Sequence, residues 1–114
     1  MAGIRESMYD ALKNAKIPVH LPGQMEGECK TGYVVIGDGG VYAMGKTTGR
    51  KSFLVTGYVP ADKPLKLRPL LASVTKALAG NKNVRTNGEV SPEDFDNERK
   101  AVFAAIEYTA LCSI

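Results

Sequence analysis

Tryptophan is absent from this 114-residue chain, histidine occurs once and cysteine twice. His20 has no cysteine or carboxylate beside it at ligand spacing, so the sequence predicts no zinc-type centre and an ordinary packed or surface imidazole. Cys29 and Cys112 form no CxxC pair and allow at most one bridge, which points to a reducing compartment and to buried or idle thiols. No apolar run approaches the ~20 residues a membrane helix requires, and Met1, Ala2, Gly3, Ile4, Arg5 and Glu6 hold no signal-peptide core. The expectation is a soluble protein kept inside a cell, with no membrane partner. Charge of one sign is lacking too: 15 Lys plus Arg against 12 Asp plus Glu leave a net +3, short of the dense basic stripe of a dedicated DNA reader.

Catalytic signatures are equally sparse. Ser7, Ser52, Ser73, Ser91 and Ser113 lie in no GxSxG elbow, and neither cysteine carries the local pattern of a nucleophile. Asp94, Asp96 and Glu98 have the alternation of a calcium loop without the glycine its sharp turn needs, so a solvated acidic face is the better reading. The expectation is a chain with no catalytic, metal or cofactor residue.

What is present is an ordinary domain. A chain this long can bury roughly 65% of the surface its unfolded form exposes, enough for one apolar core over residues 1–114 without staples. Ile4, Met8, Ala11, Leu12 and Ala15 recur at helical spacing, predicting an amphipathic helix over 4–16 that stops before Ile17 and Pro18. Tyr33, Val34, Val35 and Ile36 predict a strand covered on both faces, closed by Gly37, Asp38, Gly39 and Gly40. Val41, Tyr42, Ala43 and Met44 predict another strand, and polar residues from Lys46 to Arg50 a turn into the clearest strand, 52–59. Asp62 precedes Pro64 as a cap would, and Leu67, Leu70, Leu71, Val74 and Leu78 predict a second helix ending by Gly80, with its start between Pro64 and Pro69. Asn87 and Gly88 mark a tight turn. The last segment is ambiguous: Ser91, Pro92 and Asp94 have the form of a helix start, while residues 101–112 alternate as a strand does with apolar side chains on both faces.

One motif points elsewhere. Gly40, Val41, Tyr42, Ala43, Met44, Gly45, Lys46 and Thr47 match the phosphate-loop pattern GxxxxGK[ST]. That loop works only where a helix N-terminus follows the lysine. Here a turn and a β-rich run follow, and bulky residues fill positions that must approach phosphate closely, so a nucleotide-binding protein is a minor alternative.

Charge patterning is more informative. Lys63, Lys66, Arg68, Lys76, Lys82 and Arg85 form a basic block without an acid, and Glu89, Glu93, Asp94, Asp96 and Glu98 an acidic block without a base. In a head-to-tail assembly the block of one subunit meets its opposite on the next, and a closing rotation makes a ring. The alternatives are two solvated faces, neutralisation within one subunit, or a small nucleic-acid-binding module using the basic block.

The chain also resembles the tail terminator, or tail-completion, proteins of the head–tail joining neck of tailed bacteriophages. The resemblance spans nearly the whole chain. It rests on Glu26, Gly27, Glu28 and Cys29 leading into Tyr33, Val34, Val35 and Ile36; on Thr47, Thr48, Gly49, Arg50 and Lys51 entering a strand that ends Tyr58, Val59, Pro60; and on Asp94, Phe95 and Asp96 before Ala105, Ile106, Glu107 and Tyr108. It implies an α+β fold, a small antiparallel or mixed sheet with two amphipathic helices packed on one face and a long β-hairpin, and it tips residues 101–111 to strand. It further implies a homo-oligomeric, typically hexameric, ring in the virion neck, assembled in the host cytoplasm. That ring would end polymerisation of the tail tube protein and meet a head-side connector or head-completion protein while genomic DNA passes through its lumen; another neck component is the close alternative. Lys46, Thr47, Thr48, Gly49, Arg50 and Lys51 then become a hairpin tip reaching a neighbouring subunit or ring. Lys63, Lys66, Arg68, Lys82 and Arg85 become charge-complementary contacts for Glu89, Glu93, Asp94, Asp96 and Glu98.

Overall fold

The computed structural model of the chain describes residues 3–24, 27–82 and 84–113. Glu26, and the side chains of Cys112 and Ser113, lie outside the described residues. The elements run α1 (Ile4–Asn14), β1 (Val19–His20), β2 (Tyr33–Ala43), β3 (Thr48–Pro60), a 3-10 turn (Pro64–Lys66), α2 (Leu67–Leu78), β4 (Asp94–Asp96) and β5 (Ala101–Ser113). The five strands form one mixed sheet in the order β1-β2-β3-β5-β4, parallel between β1 and β2 and antiparallel elsewhere. The fold is α+β.

Helix α1 buries Met8 and Leu12 completely, one turn apart on one face, and carries Glu6 in its first turn and Lys13 in its last, where each charge complements the helix dipole. It ends two residues short of the expected boundary because Lys16 adopts φ 62, a left-handed conformation that reverses the chain ahead of Pro18. Helix α2 begins without a side-chain cap, so Asp62 does not play the part its position suggests. The 3-10 turn feeds the helix instead. Pro69 then falls in the first turn, where an amide has no helical partner to lose, and is no obstacle.

Two corrections concern the strands. Gly37, Asp38, Gly39 and Gly40 do not close β2; they form a bulge inside it, with Asp38 opposite Phe53, Gly40 opposite Ser52 and Gly39 unpaired between them. Gly40 has φ 98, and a Cβ on Gly39 would lie 2.8 Å from Ser52 Oγ, so glycine serves here for strain and space rather than for a turn. Two predicted strands are therefore one. The hairpin closes later, where the Met44 amide donates to the Thr48 carbonyl at 3.0 Å, and Thr48, Gly49, Arg50 and Lys51 already belong to β3. The second correction is Ser91. Its hydroxyl oxygen accepts from the Ala105 amide at 2.9 Å and its own amide donates to the Ala105 carbonyl at 2.8 Å, so the apparent helix cap ties a loop to the edge of β5. Asn87 and Gly88 do not make the expected turn: Gly88 adopts φ 82, but the segment keeps its direction along β5 from the Arg85–Thr109 bridge to the Val90–Ile106 bridge.

Strand register decides the core. Val34 and Ile36 of β2, Phe53, Val55 and Val59 of β3, and Ala104, Ile106 and Tyr108 of β5 all project to one face, where Met8, Leu12, Leu67, Leu71, Val74 and Leu78 cover them. Both helices pack on that face. On the opposite face Tyr33 stacks on Tyr58 at 5.2 Å and Tyr58 meets Phe103 at 5.6 Å, closing a smaller cluster with Cys29 and Ala101. Gly57 lies directly beneath the leucines of α2: a Cβ there would meet Leu71 Cδ2 at 2.9 Å and Leu67 Cδ1 at 3.5 Å. Gly57→Val is expected to lower stability by about 1–3 kcal/mol, read as a reduced denaturant midpoint at unchanged slope, because α2 must lift or Leu71 must leave its rotamer.

Candidate functional site

Helices of 11 and 12 residues rise about 16–18 Å, whereas a strand of 13 residues spans about 43 Å. Two such helices cannot cover such a sheet end to end. The uncovered part is the distal arm, made of β2 beyond its bulge, the start of β3 and the end of β5, and it accompanies a molecular outline of 48 × 26 × 25 Å. Every residue from Asp38 to Thr48 is exposed. Among them are Val41, Tyr42 and Met44, and Leu111 on β5 is 72% exposed. Tyr42, Arg50 and Leu111 face one another across the three strands, an apolar row with a cation in its middle.

The same arm presents an open backbone. β1 pairs with β2 only at Val34 and Val35, so among the described residues the β2 edge beyond them has no strand beside it. An unpaired edge with apolar neighbours is a template for another strand.

The six residues expected at the hairpin tip divide. Lys46 and Thr47 lie in the turn, while Thr48, Gly49, Arg50 and Lys51 are strand residues on the arm. Lys51 faces the helix side, pairs with Asp38 at 3.2 Å and sits over the Phe53 ring at 5.4 Å. The Gly40 amide, and then Lys51, hold the Asp38 carboxyl below the ordinary carboxylate range. Residues 40–43 are strand and a strand follows Thr47, so no helix N-terminus stands where a phosphate loop requires one.

Among the described residues the charge blocks meet inside the subunit at one exposed pair, Arg68 Nε to Glu93 Oε1 at 3.8 Å, a geometry that contributes little. Asp96 is committed internally. Its Oδ1 accepts from the Glu98 and Arg99 amides at 3.0 Å each, and its Oδ2 pairs with Arg99 Nη1 at 3.0 Å, which sets the guanidinium over Tyr58 at 5.3 Å. Lys63, Lys66, Glu89, Asp94 and Glu98 are exposed and in no ion pair among the described residues. Lys82 and Arg85 join Arg50, from the other group of expected residues, around a cleft of about 330 Å³ at Thr109, Ala110 and Leu111. A second groove of similar size, nearer the middle of the sheet, places Glu89 and Glu107 beside Leu54 and Val90, two partly exposed apolar side chains. Sequence reasoning missed Tyr42, Leu54, Val90 and Leu111, because which face of the sheet the helices cover, and so that Tyr42, Leu54 and Leu111 lie on the other one, is set by tertiary packing.

The hydrogen bond from the Arg99 amide, and after it the Arg99 side chain, depress the Asp96 carboxyl below its unfolded value. Stability from this group is therefore complete above the ordinary carboxylate pKa and lost as pH falls through the lower folded value. Asp96→Asn is expected to cost about 1–2 kcal/mol at neutral pH, with the difference from the parent shrinking as pH drops below about 4, measured by denaturant unfolding across pH. Compared with protein-family models and with curated proteins, the chain has no significant match to either.

Proposed function

We propose that the chain is a structural protein of a tailed-phage virion neck, whose copies close into a ring on the head-proximal end of the tail tube, end its polymerisation and present a surface to the head-side connector. The observation that carries this reading is the uncovered arm, with Tyr42, Met44 and Leu111 exposed beside an unpaired β2 edge. Such a surface is costly in water and is satisfied by a partner. The sequence resemblance across the strands and the final segment points the same way.

The mechanism is shape and charge, with no bond made or broken. An arm reaching onto the next subunit is a heterologous contact, which closes into a ring when the rotation between copies divides a full turn. Lys46 on the arm, against Glu89, Asp94 and Glu98 elsewhere on the neighbour, orients the encounter. DNA passes through the lumen without a tight grip, since each phosphate contact strengthens binding and opposes movement.

Native mass spectrometry and negative-stain imaging test the reading, with the protein alone and with tail tubes. A closed oligomer that docks on tube ends is expected. Tyr42→Asp combined with Met44→Asp should leave the thermal midpoint within a few degrees, both side chains being exposed, while abolishing the oligomer and the docking. A parent protein that stays monomeric and never docks on tube ends overturns it.

A further inference from the structure

The cleft shared by Arg50, Lys82 and Arg85 has a chemistry that ring closure does not call for. Arg50 on β3 stands opposite Leu111, and Arg85 bridges to Thr109 from the other side of β5. Both arginines therefore share the sheet face away from the helices and flank β5. Two strand spacings separate their backbones by about 10 Å laterally, a gap that two long side chains can close on one group between them. Lys82 enters from the turn after α2, and Thr109 also lines the cleft.

Among the described residues no acid lines this cleft of about 330 Å³, and none of its three cations is in an ion pair. Glu107, which lines the adjoining cleft with Arg50, accepts the Ser52 hydroxyl at 2.8 Å. Three uncompensated positive charges around one concavity repel one another until an anion enters. We propose that this cleft binds a phosphate group, held by the forks of Arg50 and Arg85 and the ammonium of Lys82. Free phosphate and pyrophosphate carry about 1.5 or more negative charges near neutral pH and offer at least three acceptor oxygens, where a carboxylate has one charge and two oxygens, and a nucleic-acid backbone presents one charge per phosphodiester repeated along the strand. The group belongs to free phosphate or pyrophosphate, or to a nucleic-acid backbone, and the proposal does not depend on the ring.

Amide chemical shifts of the isotope-labelled protein are followed during titration with inorganic pyrophosphate and, separately, with a short DNA duplex at the same ionic strength. Saturable shifts are expected at Arg50, Arg85, Thr109, Ala110 and Leu111. Arg50→Gln with Arg85→Gln should weaken binding about tenfold or more, and Lys82→Gln by less, whereas Lys30→Gln, an exposed site with the same charge change as Lys82→Gln, should not. Binding of both probes, or of one, supports the cleft and identifies the source. Absence of saturation by either probe up to about 10 mM overturns it, as does equal weakening by Lys30→Gln. Loss of binding in Lys46→Ala, with the cleft variants unaffected, also overturns it, by returning the phosphate to residues 40–47. Failure here leaves oligomer formation untouched, so it is distinguishable from failure of the ring reading.

Discussion

Helices that rise 1.5 Å per residue lie against strands that advance about 3.3 Å per residue, and in this chain the two are of nearly equal length, 11 and 12 residues against 13. The apolar cover is therefore short. Where it exists, Phe53, Val55, Val59, Ile106 and Tyr108 are buried to within a few per cent of completely. Beyond it Val41 is exposed on the helix side, and on the face away from the helices Tyr42 and Leu111 are exposed as well. The body and the arm are one sheet, and the surface on which the functional reading rests joins the end that the two helices do not reach to the face that they do not cover.

Local ties hold each end of this arrangement. At the root of the arm the bulge at Gly39 and Gly40 bends β2, and Asp38 stitches it through the Gly40 amide and Lys51. At the opposite end Asp96 organises the turn into β5 and sets Arg99 over the aromatic row, while the Cys29 amide donates to the Arg99 carbonyl. Burial pushes the Cys29 thiol and the Tyr33 phenol up, against the opposing influence of Arg99, so both remain neutral packing groups. The charges closest to the body are spent on structure, and those on the arm and on the loop after α2 are left for partners.

Several features were legible in the chain itself. Residues 4–14 and 67–78 show their helical stripe and residues 52–59 their alternation, because each signal is local and depends on a periodicity. The misread positions share a cause. Gly39 and Gly40 have the composition of a turn, and only the opposing strand, with Ser52 against Gly39, distinguishes a bulge from a reversal. Ser91 has the side chain of a helix cap, and the Ala105 amide on a distant strand claimed it.

The sequence alone determined which residues are apolar, at what period, and where the chain turns, since these rest on side-chain chemistry and backbone sterics within a few residues. Tertiary structure alone decided that β5 lies between β3 and the 85–91 segment, and so that Arg50, Arg85 and Lys82 share one cleft although up to 35 positions separate Arg50 from Arg85. It also decided which alternating face is covered. Strand pairing and helix reach are long-range properties: they depend on which distant segments compete for the same edge and the same apolar area, and no local window of residues contains that competition.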